Sequence, residues 1–162
     1  MTKRDIEEIG KYIYDRYIVK TGIDGWKHIL QTVHFGIMIA AGENIDVIDP
    51  VVIGCYLHDI GRGREKKGQS HGEAGYQYCL SHKEEIFMYL KKYDISETVF
   101  EEIIEAVRIH DKGKITNHLI SGCIWDADRL SLVRFNNKIV NPDLLSTNTA
   151  KKLIDYANRC EI

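Results

Sequence analysis

Apolar positions along the chain recur mostly at helical spacing. Ile6, Ile9, Ile13 and Tyr17 fall three, four and four residues apart, one face of a helix predicted over residues 2–20. The turn Thr21-Gly22-Ile23-Asp24-Gly25 follows, and a second helix is predicted from Trp26 to Ala41, closed by Gly42. Its main stripe is Trp26, Ile29, Leu30, Val33, Ile37, Ala40 and Ala41, yet Phe35, Met38 and Ile39 lie off it. A helix apolar on most sides is central and buried. The next segment is apolar from Pro50 through Leu57, and periodicity alone does not separate a buried helix from a buried strand there. Asp49-Pro50 as a capping start and Gly61 as a stop favour a helix.

The stretch from Gly61 to Gln69 is polar and glycine-rich, and reads as a loop. Ser70 and Glu73 have the spacing of a capping box that opens another helix. Residues 84–93 form a short helix with Ile86, Phe87 and Leu90 inward. Residues 97–110 form a stronger one on Val99, Phe100, Ile103, Ile104 and Val107. After the loop Lys112-Gly113-Lys114, an amphipathic helix carries Leu119, Ile120, Cys123, Ile124, Ala127 and Leu130. A last helix is expected from Pro142 to Arg159, with Asn141 as its cap. With no internal repeat and no credible sheet, the expectation is all-α: one compact bundle of about eight helices. It is taken as a single domain over residues 1–162, with a motif-bearing core at 26–131 and a C-terminal helix at 142–159.

Composition narrows the function classes. At 44% hydrophobic and 28% charged residues the chain has ordinary globular usage. A net charge of −2 carries no basic footprint for a nucleic acid polymer. Four scattered cysteines without a C-x-x-C pair argue against a zinc ribbon or a disulfide framework, and three of them sit in apolar runs as buried thiols. The first residues, MTKRDIEEIGK, lack an apolar signal region, and no run is long enough to span a membrane. A cytoplasmic protein is expected, and a homodimer is compatible with these numbers.

Seven histidines occur. His58-Asp59 ends an apolar helix, where an unpaired charge costs several kcal/mol, so pairing or metal coordination is expected. On its own the pair is more readily a capped, salt-bridged core pair. His28 lies in line with Thr32 and Gly36 at i+4 and i+8. Those small residues let another helix approach, so a ligand there would sit at a helix–helix seam. His110 falls on the apolar face of Ile103 and Val107, beside a basic loop, and His71 opens the helix after the other basic loop. Asp126 and Asp128 flank Ala127 on an apolar helix, and periodicity leaves open which of them faces a cation. Imidazole with carboxylate suits Fe, Mn, Zn or Ni. A carboxylate such as Asp59 can bridge two such ions, a water held between them becomes a nucleophile near neutral pH, and nearby Arg or Lys stabilises phosphoryl charge.

The ordered segments HILQTVHFGIMIA, VVIGCYLHDIGR, SHGEAGYQY, EAVRIHDKGK and WDADRL resemble the HD-domain superfamily of metal-dependent phosphohydrolases, over residues 26–131. The resemblance implies a helical bundle in which His28, His58, Asp59 and Asp128 hold one metal. His71 and His110 match the extra histidines of two-metal branches, such as the symmetrical dinucleoside tetraphosphate hydrolases, where Asp59 would bridge both ions. It further implies one or two divalent transition ions (Fe, Mn, Ni, Co or Zn). Asp59, His110 and Arg62 would serve the chemistry, and Arg62, Arg64, Lys112 and Lys114 would be the phosphate contacts. The expected partner is a small phosphorylated, nucleotide-like molecule. The Gly-Tyr-Pro motif of the cyclic-di-GMP branch is missing, and Leu132 replaces the tyrosine of the dNTP triphosphohydrolases. Ser131 stands where close relatives commonly carry aspartate. Two rivals share the scaffold: a di-iron oxygenase and a nucleotide-sensing module without turnover.

Overall fold

The computed structural model describes residues 1–20, 25–133 and 140–159. The predicted turn at 21–24 and Cys160 lie outside them. Eight α-helices and no strands occur among the described residues: α1 (Lys3–Tyr17), α2 (Gly25–Gly42), α3 (Asp49–Leu57), α4 (His71–Ser81), α5 (Lys83–Leu90), α6 (Glu97–Ile109), α7 (Leu119–Ser131) and α8 (Asn148–Arg159). Short 3₁₀ turns cover Lys91–Tyr93, His110–Lys112 and Pro142–Leu144. No helix among the described residues is long and apolar enough to cross a membrane.

The helices start where side chains satisfy their free N–H groups. Thr2 and Asp5 close a reciprocal capping box on α1, and Ser96 accepts from Val99 N at 3.2 Å on α6. Ser70 caps α4 through Glu73 N at 3.3 Å, but only half of the expected box forms. Glu73 instead accepts from Gln77 and faces Arg108 Nε at 3.3 Å, because α6 brings a cation to that side. Asp49 is the first residue of α3 rather than its cap.

The apolar segment at 50–57 is a helix, buried on all sides from Pro50 to Leu57. It lies with α2 and α7 at the centre of one apolar core, to which α1, α5, α6 and α8 also contribute. Each fully buried large side chain, such as Phe35, Phe100 or Ile103, adds roughly 1.5–3 kcal/mol relative to exposure. Cys55, Cys79 and Cys123 are buried free thiols. The stripe read along α2 is displaced: Leu30 and Ala41 are exposed, whereas Gln31, Thr32, Phe35 and Gly36 are buried. The reason is that α3 and α7 both press on the His28–Thr32–Gly36 line. A Cβ at Gly36 would lie 2.6 Å from Cys55 Sγ and 3.8 Å from Ala127 Cβ. Leu119, expected inward, is exposed in the first turn of α7.

Pro142 begins a 3₁₀ turn, not the last helix. Fully buried Asp126 accepts from Ser146 N at 2.9 Å, from Thr147 N at 2.7 Å and from Thr147 Oγ1 at 2.9 Å. This draws the chain onto α7 before α8 begins, and Thr147 Oγ1 then accepts from Ala150 N.

At the other end, Gly61 meets α4 backbone to backbone. A Cβ there would lie 2.0 Å from His71 O and 2.3 Å from Gly75 N. Backbone has little room to yield, so Gly61→Ala is expected to cost roughly 1–3 kcal/mol or more. A urea unfolding midpoint equal to that of the wild type would contradict this packing.

Candidate metal centre

Two helices end at one point. His58 follows the last residue of α3 and His110 follows the last residue of α6. Each ring is fixed by a carbonyl three residues back: His58 Nδ1 is 2.7 Å from Cys55 O, and His110 Nδ1 is 2.6 Å from Val107 O. The first turn of α2 brings His28, the first residue of α4 is His71, and α7 brings Asp128. Asp59, in the turn after α3, lies among them. Helix C-termini carry partial negative charge, so two of them at one spot favour a cation.

The six donors form two triads, His28–His58–Asp128 and Asp59–His71–His110, each with one ligand atom per residue within 4.8 Å of the others. Nε2 of His28 and Nε2 of His58 are 3.0 Å apart, as are those of His71 and His110. Asp128 Oδ1 lies 3.2 and 3.6 Å from the first pair. Asp59 is divided between the triads. Its Oδ2 is 3.5 Å from both His28 and His58, while Oδ1 is 3.5 Å from His71 and 3.8 Å from His110. Bonds of about 2.1 Å place neighbouring donors about 3.0 Å apart at right angles and about 3.4 Å apart at tetrahedral angles, close to the spacings found here.

Hydrogen positions follow from the acceptors. A carbonyl only accepts, so His58 and His110 carry their hydrogen on Nδ1 and turn an Nε2 lone pair inward. Nδ1 of His28 lies 3.0 Å from Ser131 Oγ, whose own hydrogen goes to Asp128 O at 2.7 Å. Nδ1 of His71 faces Asp111 Oδ2 at 3.4 Å. In the neutral state, lone pairs then confront each other across 3.0 Å, beside Asp59 Oδ1 and Asp128 Oδ1, which are buried without a hydrogen-bond partner. Buried acceptors gathered this closely need positive charge among them. These residues fit a divalent cation in each triad.

The ionisation pattern agrees. Burial would raise Asp128, but His28, His58 and His110 outweigh it and hold it at about 2. Burial is likewise overcome at Asp59, where His58, His110 and Arg62 keep the carboxyl well below its ordinary range. His58 is pushed down to about 4 by burial, which Asp59 and Asp128 only partly oppose. Burial also acts against charged His110, yet Asp59, Asp128 and the Val107 carbonyl leave it raised.

The other expected site residues spread out. Arg62 Nε sits 2.6 Å from Asp59 Oδ2, with its side chain 45% exposed at the rim. Arg64 turns away: it stacks on Tyr78 at 4.1 Å and donates to Ile60 O. Lys112 Nζ donates to Ser70 Oγ at 2.7 Å. Lys114 is tied through its backbone carbonyl to Arg129 and is exposed. Of the two aspartates left open by periodicity, Asp128 faces the histidines and Asp126 holds the start of α8. The support behind the rings escaped sequence reasoning. Asp111 had no signal but its place next to His110, and Ser131 stood out only as a departure from the family's aspartate, not as a partner of His28.

A raised His110 keeps its proton to higher pH in the metal-free protein, and that proton must leave before Nε2 can ligate. Metal affinity is therefore expected to fall as pH drops from about 8 to about 6, across the imidazole range. Titration with Mn²⁺ at several pH values checks this, and a flat dependence would overturn it.

Residues 25–133 match the family model for the HD domain. No curated protein matches the chain. The crystal structure of a predicted HD superfamily hydrolase from an uncultured Thermotogales bacterium superposes with a TM-score of 0.67 at 24% identity, covering 97% of this chain and 85% of that one. That likeness shows a shared fold, and the family match spans most of the chain including all six converging donors. The chain therefore belongs to the HD-domain family, whose members are generally metal-dependent hydrolases.

Proposed function

We propose that the chain hydrolyses a phosphate ester or anhydride of a small, nucleotide-like molecule, with two divalent transition ions held on either side of Asp59. The observation that carries this reading is the division of one buried carboxylate between two histidine-rich triads. His28, His58 and Asp128 would hold an ion in one half-site and His71 and His110 in the other, with Asp59 common to both. When bound, such ions supply Lewis acidity and lower the pKa of water to near neutrality.

The remaining work falls to the chain's own groups. Arg62 holds Asp59 in place through Nε and keeps its outer N–H groups at the rim. There they meet the charge that develops on phosphoryl oxygens, in the paired geometry guanidinium offers. A cation at this position favours a phosphorylated substrate over the neutral polyol that an oxygenase of this scaffold takes. Lys112, 43% exposed beside the first turn of α4, is the second candidate phosphate contact.

Metal analysis combined with phosphate release from a panel of nucleotides and phosphoesters, with Mn, Fe, Co and Ni supplied in turn, tests the reading. Binding without phosphate release across the panel would instead indicate a sensing module, and oxygen consumption an oxygenase. Asp59→Ala is expected to abolish both bound metal and phosphate release while helicity stays intact, and unchanged metal content would defeat the assignment. His110→Ala is expected to lower the stoichiometry from about two ions to about one.

A further inference from the structure

His71 lacks the brace that His58 and His110 have in their own helices. It is the first residue of α4, and its side chain, 19% exposed, is the least covered of the six donors. Behind it stands Asp111, the residue after His110. Asp111 Oδ2 accepts from Gly72 N at 3.1 Å and lies 3.4 Å from His71 Nδ1. Its Oδ1 is buried without a hydrogen-bond partner, with the Lys112 ammonium 3.7 Å away. A Cβ at Gly72 would lie 2.8 Å from Arg108 O, 2.9 Å from Val107 O and 3.0 Å from Asp111 Oδ1, so only glycine lets α4 come this close. One carboxylate thus ties the start of α4 to the end of α6, the two elements that carry His71 and His110.

Charge gives a second, independent reason. The His28–His58 half-site has Asp128 as its own carboxylate and also one oxygen of Asp59. The His71–His110 half-site has only the other oxygen of Asp59. A dication there meets less negative charge from its direct donors. Asp111 adds a full negative charge directly behind the His71 ring.

We propose that Asp111 is the positioning residue of the second half-site: it orients the His71 ring and supplies the charge that lets His71 and His110 retain a divalent cation. The inference rests on the two-ion reading of the centre. An acceptor behind a ligating imidazole fixes the tautomer and raises ligand basicity, and its loss typically costs about 10–100-fold in metal affinity.

The test is Mn²⁺ titration of the metal-free full chain by calorimetry, with bound metal counted by elemental analysis. Asp111→Asn keeps an acceptor for Gly72 N, hence the docking of α4, but removes the charge. It is expected to weaken the second ion by about 10–100-fold and leave the first unchanged. Asp111→Ala should do the same or more. Equal weakening of both ions would mark a general structural role and overturn the proposal. Two ions at unchanged affinity in Asp111→Asn would overturn it while leaving the two-ion reading intact. A wild type that holds a single ion would remove both together.

Discussion

Much of this molecule is arranged around a carboxylate that has no business being ionised where it is. Asp59 is nearly buried, and one of its oxygens finds no hydrogen-bond donor. Isolated, such a group would take up a proton, because burying its charge costs several kcal/mol. Here imidazoles and the Arg62 guanidinium surround it and keep it charged. The rings in turn present lone pairs inward, so the cluster is complete only with cationic charge at its centre. The six donors come from five separate stretches of chain, and each must be delivered by a different packing contact.

Those contacts differ in stiffness. His58 and His110 are locked by the carbonyls of Cys55 and Val107, at the ends of helices whose apolar faces are fully buried. Moving either ring means moving core. His28 depends on Ser131, which also touches Thr32 Oγ1 at 3.1 Å in the seam between α2 and α7. That seam closes tightly because Gly36 has no side chain. His71 depends on a loop contact at the rim, and the backbone approach of Gly61 holds it near Asp59. The support of the donors thus shifts from helix backbone in the apolar centre to side-chain contacts towards the solvent side.

The pair Asp126 and Asp128 shows how one short motif divides its labour. Both are buried on α7, two residues apart and therefore on different sides of the helix. Burial leaves Asp126 raised despite the Ser146 and Thr147 donors and Arg129, whereas histidines hold Asp128 at about 2. The first fastens the segment that leads into α8, and Arg129 reinforces it through the carbonyls of Leu144 and Lys114. The second turns to the histidines of the candidate metal centre. The fastening keeps α7 in register, which places Asp128 against His28.

Helical periodicity and capping residues determined from sequence that the chain is a helical bundle, and the ordered His and Asp segments singled out the residues that meet. Local signals suffice for these because a helix's apolar face and cap lie within a few residues of one another. What remained undecided was everything that depends on a second element. Periodicity did not choose between Asp126 and Asp128, and only the family resemblance pointed to Asp128, because each is simply buried until a neighbour supplies either N–H donors or imidazoles. The stripe on α2 shifted because two helices, not one, cover it. Arg64 reads like Arg62 in the loop, yet Tyr78 captures one and Asp59 the other. The last helix begins later than Pro142 because Asp126, on a distant helix, accepts the hydrogen bonds that hold the preceding turn. Hydrogen-bond partners and charge neighbours far apart in sequence are chosen by packing, and only the tertiary structure could choose them.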